Sequence, residues 1–118
     1  MNVKKTRLFQ EEQRTPIVGW LVALTGKHKG EDFKVREGKT TIGSDAGSDV
    51  QLTDEFISGQ HAVIKFVSKG DERIFILTDL DSSNGTFLND AEETIAREAL
   101  VDNATVTFGQ TKMKFKCL

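Results

Sequence analysis

Ser58 and His61 stand three residues apart and are the pair in this chain whose types suit covalent chemistry, a hydroxyl beside an imidazole. A nucleophile and its base must touch, and a third group must orient the base. Ile57-Ser58-Gly59-Gln60-His61-Ala62 reads as a loop entering a strand, which gives the two side chains no reason to meet, and no orienting group is indicated. The chain is therefore read as a non-enzyme. His28 sits in the basic turn Lys27-His28-Lys29-Gly30, where a solvated ring is expected, and the single cysteine, Cys117, lies far along the chain. Such widely spaced residues make no metal-ligand set. No Gly-rich phosphate-binding fingerprint is present, so neither a metal nor a cofactor is expected.

Binding chemistry is the better fit. Three polar segments interrupt the apolar pattern: Thr41-Ile42-Gly43-Ser44 with Ser48-Asp49-Val50-Gln51-Leu52, then Ile57 to Ala62, then Asp79-Leu80-Asp81-Ser82-Ser83-Asn84-Gly85-Thr86-Phe87-Leu88-Asn89. The Ser58 hydroxyl is a donor suited to a phosphate oxygen; its plainer role is a turn hydroxyl bonded to its own backbone. Asn84 carries a donor and an acceptor and can hold a peptide backbone by two complementary bonds, although Asn-Gly is also a favoured turn. Gly85 is expected to supply a positive φ and to serve geometry only.

Short strands must position these segments. From Ile17 onward, apolar bursts separated by Gly, Asp and Ser predict strands at Ile17–Leu24, Asp32–Val35, Thr40–Gly43, Val50–Leu52, Ala62–Val67, Arg73–Thr78, Thr86–Leu88, Thr105–Phe108 and Thr111–Cys117. Lys69-Gly70-Asp71 is a hairpin signal. In the last strand Met113, Phe115 and Cys117 alternate with Lys112, Lys114 and Lys116, so the lysines form a solvated or edge-protecting face. Glu92–Leu100 reads as loop and short strand. The pattern is all-β, a sandwich or barrel.

The chain has 118 residues, enough for one domain, and a net charge of -2 with a pI of about 5.7. That balance gives no basic footprint for nucleic acid. No apolar run is long enough for a membrane helix, and the basic N-terminus lacks the apolar stretch of a secretion signal. One cysteine forms no internal disulfide and fits a reducing compartment; a soluble, cytoplasmic protein is expected. Residues 1–16 read as a flexible polar tail ending at Thr15-Pro16, where proline disfavours continued helix, and residues 17–118 as the domain.

In order and separation, the three polar segments resemble the forkhead-associated (FHA) pattern: a Gly-Arg after a strand, a Ser-x-x-His, then an Asn-Gly-Thr. Phe108-Gly109 before the final alternating strand resembles that family's ending. The likeness covers about residues 17–118. It implies an FHA-type β-sandwich of about eleven short strands, whose loops at one end bind phosphothreonine peptides in bacterial signalling. It also implies peptide or phosphate contacts from Ser44, Ser58, Gly59, Gln60, Ser83 and Asn84, with Gly43, His61, Gly85 and Thr86 supporting the loops. The layout is also similar to the N-terminal module of bacterial diguanylate cyclases, a likeness that no single residue carries. The resemblance further implies an output domain joined downstream, which itself could be an enzyme.

Two positions depart from the pattern. Ser44 replaces the family's arginine, whose forked charged donors a serine cannot supply, and Gly59 stands where Arg, Lys or Asn is frequent. Asp45 and Asp49 add negative potential nearby; Lys65 or Lys69 are the candidates for replacing the lost charge. The departures favour an alternative, a degenerate FHA fold acting as a phosphorylation-independent scaffold. Thr6, within Lys4-Lys5-Thr6-Arg7-Leu8-Phe9, has the basic flanks that Ser/Thr kinases favour and is the candidate phosphosite. The expected partners are thus a phosphothreonine-containing protein or the chain's own tail, in cis or in trans, with a kinase upstream.

Overall fold

The computed structural model describes residues 15–118; Thr6 and the rest of residues 1–14 lie outside the described residues. Ten strands follow in order: β1 (Ile17–Ala23), β2 (Asp32–Arg36), β3 (Gly38–Gly43), β4 (Val50–Gln51), β5 (Ala62–Lys69), β6 (Glu72–Asp79), β7 (Thr86–Leu88), β8 (Arg97–Leu100), β9 (Thr105–Phe108) and β10 (Thr111–Cys117). They form two five-stranded sheets, β2-β1-β10-β9-β7 and β4-β3-β5-β6-β8. The sandwich is all-β as the strand pattern implies, with ten strands among the described residues rather than eleven. Between β7 and β8, Asn89 and Asp90 adopt positive φ values of 55° and 60°, which breaks extended structure there.

Alternation places the core. On β10, Thr111, Met113 and Phe115 are buried while Lys112, Lys114 and Lys116 are half-buried on the outer face. Ile42, Ile64, Leu77 and Phe75 from one sheet meet Leu21, Val35, Val106 and Phe115 from the other, all within one buried cluster. Phe66, Phe75 and Phe115 stack in sequence with ring centroids 5.0 and 4.8 Å apart, geometry that favours aromatic quadrupoles. No buried side-chain nitrogen or oxygen among the described residues lacks a hydrogen bond, and no helix there is long and apolar enough to cross a membrane.

The lysines of β10 do not protect an edge. β10 lies between β1 and β9, and the edges are β2, β7, β4 and β8; Lys112 instead pairs with Asp90 at 2.8 Å. β5 and β6 turn through Gly70-Asp71, with Gly70 at φ 64°, the glycine-first arrangement suited to a two-residue hairpin. β1 runs antiparallel to β10 from Gly19↔Cys117 to Ala23↔Met113, and the Leu118 N–H donates to the Val18 carbonyl at 3.0 Å. Both ends of the described chain therefore leave from the same end of the sandwich.

The opposite end gathers five connections. Asp54, in the β4–β5 loop, ties its own loop to the β9–β10 turn. Its carboxylate accepts from the Phe56 N–H (2.8 Å), the Gln110 N–H (2.8 Å) and the Thr111 hydroxyl (2.8 Å). Burial works against its charge, but these donors outweigh burial and hold its carboxyl below the usual carboxylate range. A lowered folded pKa contributes stability above the unfolded value of about 4, and that contribution is lost as pH falls through the folded value. The urea midpoint is therefore expected to hold from neutral pH to about 5 and to fall below about 4. Asp54→Asn should be less stable at pH 7 and show a shallower acid limb; an unchanged limb would contradict the role given to this carboxylate.

Candidate functional site

His61 is fully buried and is bonded on every side. Its backbone N–H donates to the Ile42 carbonyl (2.9 Å) and its carbonyl accepts from the Leu80 N–H (2.8 Å). Ring Nδ1 accepts from the Ser58 N–H (3.2 Å) and Nε2 donates to the Gly85 carbonyl (3.0 Å). The ring stands edge-on to Phe108 with centroids 5.5 Å apart. The ring thus joins the β4–β5 loop, the β6–β7 loop and the core, while the backbone of the same residue holds β3. Ser58 and His61 do meet, but through the serine backbone: both ring nitrogens are occupied and neither bonds the hydroxyl, so the pair is not a nucleophile and base.

The two central loops are also sewn together directly. The Ser58 Oγ accepts from the Ser83 N–H at 3.0 Å, which fills an acceptor side of the hydroxyl and leaves its proton available. Asn84 Nδ2 donates to the Phe56 carbonyl at 2.9 Å, leaving the amide oxygen for an outside donor. At the base of the β6–β7 loop, Asp79 accepts from the Ser82 N–H (3.0 Å), the Ser82 hydroxyl (2.6 Å) and the buried Thr86 hydroxyl (2.7 Å). Burial opposes the Asp79 charge as well, yet these bonds lower its pKa. Gly85, at φ 85°, donates to the Ser82 Oγ at 2.9 Å, and a Cβ there would stand 2.3 Å from the Thr94 methyl.

Ser44 and Asp45 lie against the β4–β5 loop, their N–H groups donating to the Ser58 and Gly59 carbonyls at 3.1 and 3.2 Å. That pairing explains two glycines. A Cβ on Gly43 would sit 2.0 Å from the Gly59 carbonyl oxygen, and a Cβ on Gly59 would sit 2.5 Å from the Asp45 carboxylate. Asp45 thus fills the space that a side chain at position 59 would need. Gln60 is exposed and lines, with Asp45, Ser48 and Leu80, a recess of about 360 Å³. Asp49 holds β3 by accepting from the Thr41 N–H (2.9 Å) and hydroxyl (3.1 Å).

The structure brings Ser44, Ser58, Gly59, Gln60, Ser83 and Asn84 to one end of the sandwich. Lys65 and Lys69 are not there: β5 carries them away from His61 toward the hairpin. The cation that shares a cleft of about 670 Å³ with Ser44 is Lys27, from the β1–β2 turn, opposite Asp54 and Glu55. His28 in that turn is not solvated; Nε2 accepts from the Thr53 N–H (2.8 Å), Nδ1 meets Glu31 (3.1 Å), and the ring packs on Phe33. Two exposed apolar residues flank the loops, Phe56 at 43% and Leu80 at 39%. Phe56 escaped the sequence reading because it adjoins Ile57, and only one of two neighbours can face the core.

Replacing the two glycines separates rigid from adjustable neighbours. Gly43→Ala meets backbone and is expected to cost about 3 kcal/mol in urea unfolding, whereas Gly59→Ala meets a movable side chain and should cost under about 1 kcal/mol. Equal costs would contradict the close strand-to-loop approach.

Comparison with known proteins places this geometry. The family model Yop-YscD_cpl, inner membrane component of T3SS, cytoplasmic domain, matches residues 23–117. The chain is similar to the FHA domain-containing protein FhaA of Mycobacterium tuberculosis, 29% identical over 84 residues. That match covers 71% of this chain but 15% of the relative's length. Among solved structures, the FHA domain of CT664 from Chlamydia trachomatis superimposes with a TM-score of 0.72 at 27% identity, over 86% of this chain and 98% of that one. The yeast Dun1 FHA domain, in complex with a doubly phosphorylated (pT) peptide derived from Rad53, gives a TM-score of 0.75 at 25% identity, over 88% and 77%.

Proposed function

The chain belongs to the Yop-YscD family, the cytoplasmic domain of an inner membrane component of the T3SS, and has the FHA fold; on that footing we propose that its loop end is a phosphothreonine-peptide recognition site used in signalling. The observation that carries this reading is the Ser58 hydroxyl, its acceptor side held by Ser83 and its proton free beside the exposed Ser44. Ser58 and Ser44 donate to the phosphate, with Gly59 and Gln60 beside them and Lys27 as the nearby cation. Ser83 and Asn84 hold the peptide backbone, the free Asn84 oxygen accepting from it, while Gly43, His61, Gly85 and Thr86 keep the loops in place.

The chain's own Thr6 is the ligand proposed for this site, in cis or in trans, once a kinase has phosphorylated it; the complex regulates an output domain joined to this one. Phe9 follows Thr6 by three residues, and the exposed ring of Phe56, adjoining Asn84, offers it an apolar contact. Ile17 lies at the end of the sandwich away from the loops, because β1 runs seven residues toward them, roughly 23 Å. The eleven residues from Thr6 to Ile17 span at most about 36–40 Å, which is enough to double back.

A second reading rests on Asp45. Its carboxylate stands over Gly59, and no arginine follows Gly43. A carboxylate there disfavours a dianion and favours a protein partner without phosphate, a scaffold role suited to a component of a larger assembly.

Calorimetry with a peptide of residues 1–12 decides between them, using the chain with Thr6→Ala so that its own tail does not compete. Phosphothreonine at position 6 is expected to give micromolar binding that the unphosphorylated peptide lacks. Loss of one charge-assisted bond, of about 1.5–3 kcal/mol, should weaken it tenfold or more in Ser58→Ala; Asn84→Ala should lose it as well, and Phe56→Ala should weaken it less. Equal binding with and without phosphate selects the scaffold reading. No binding here or across a broad phosphothreonine peptide library removes the first reading.

A further inference from the structure

The outer face of the β4-β3-β5-β6-β8 sheet is unlike a solvated face. Thr40, Ile42, Ala62, Ile64, Phe75, Leu77 and Leu100 point into the core, so the alternate residues look outward. The register sets them in rows across the sheet: Thr41, Val63, Thr78 and Arg97 in one, Lys39, Lys65, Ile76 and Ala99 in the next. Val67 pairs with Ile74 beyond them, Val67 being 37% exposed, and Val101, 63% exposed, follows β8. The central strand of the other sheet, β10, presents three lysines outward instead.

The cations on this face have no partners. Lys39 and Lys65 stand directly opposite each other, a like-charge pair that costs stability. Neither they nor Arg97 take part in an ion pair among the described residues. Around the apolar side chains Lys39, Lys65, Lys69 and Arg97 outnumber the carboxylates Asp49, bonded to Thr41, and Glu72, opposite Lys69, so the face carries excess positive charge in a chain of net charge -2. A second copy docking face to face about a two-fold axis would bring together two surfaces of the same net charge, so the charge favours a different occupant.

We propose that this face is a second docking surface, separate from the loop end, and that it takes an acidic segment of a partner protein. Carboxylates of that segment lie between Lys39 and Lys65 and beside Arg97, and its apolar side chains cover Val63, Ile76 and the Val67–Ile74 pair. Removing the like-charge repulsion is part of what binding gains.

The test uses the whole chain, immobilised, and a random peptide display library, followed by synthesis of the recovered peptides. Peptides rich in Asp or Glu with interspersed apolar residues are expected. Their affinity should fall at least about tenfold in Lys65→Glu, and steeply between about 50 and 500 mM salt, while Ser58→Ala leaves them unaffected. Lys65→Glu sets a carboxylate opposite Lys39, so its melting temperature, measured alongside, should match or exceed that of the original chain; a misfolded variant would be replaced by Arg97→Glu. Recovery only of peptides that need Ser58, or that ignore Lys65→Glu, overturns the proposal. So does a concentration-dependent dimer in sedimentation that Lys65→Glu abolishes, which would make the occupant a second copy.

Discussion

A buried imidazole must find partners for both ring nitrogens or lose a large part of what its burial gains, and this fold meets that demand in one way. His61 accepts a hydrogen bond from the Ser58 N–H and donates one to the Gly85 carbonyl, two groups on different loops. Neither loop has strand ladders of its own to fix it. The requirement of one side chain in the core therefore sets the distance between the loops, and with it the distance between Ser58 and Asn84. The Ser58–Ser83 and Asn84–Phe56 bonds refine an arrangement that the imidazole already imposes.

The loop end is built from carboxylates that hold backbone N–H and hydroxyl donors. Asp54 and Asp79 both remain ionised against burial because each collects three donors. Their charges are consequently spent on the scaffold. Asp45, by contrast, makes no such set of bonds and stands over Gly59, and Lys27 answers from across the turn. The balance between that carboxylate, that ammonium and two serine hydroxyls decides how strongly an anion is held there. The FHA fold of this chain thus keeps the loop geometry while altering the charge that the geometry displays.

Much of the architecture was legible because alternation is a local signal. Met113 and Phe115 against three lysines give the strand without any knowledge of its neighbours, and β5, β6 and β9 follow the same logic. Strand position within a sheet is not local: nothing in β10 itself says that β1 and β9 flank it, which is why edge protection was a reasonable but mistaken role for its lysines. The gathering of Ser44, Ser58, Gln60, Ser83 and Asn84 was anticipated from a resemblance in order and spacing. Lys27, His28 and Phe56 were not, because each owes its place to a contact between segments distant in sequence, as Thr53 is from His28.

The pairing of the first and last strands has a mechanical consequence. β1 and β10 run antiparallel side by side, closed at the open end by the Leu118–Val18 bond. Tension applied through Thr15 and Leu118 would load that bond first and then each successive rung, rather than all rungs in shear. The domain would peel like a zipper at low force, with the loop end the last part to feel the pull.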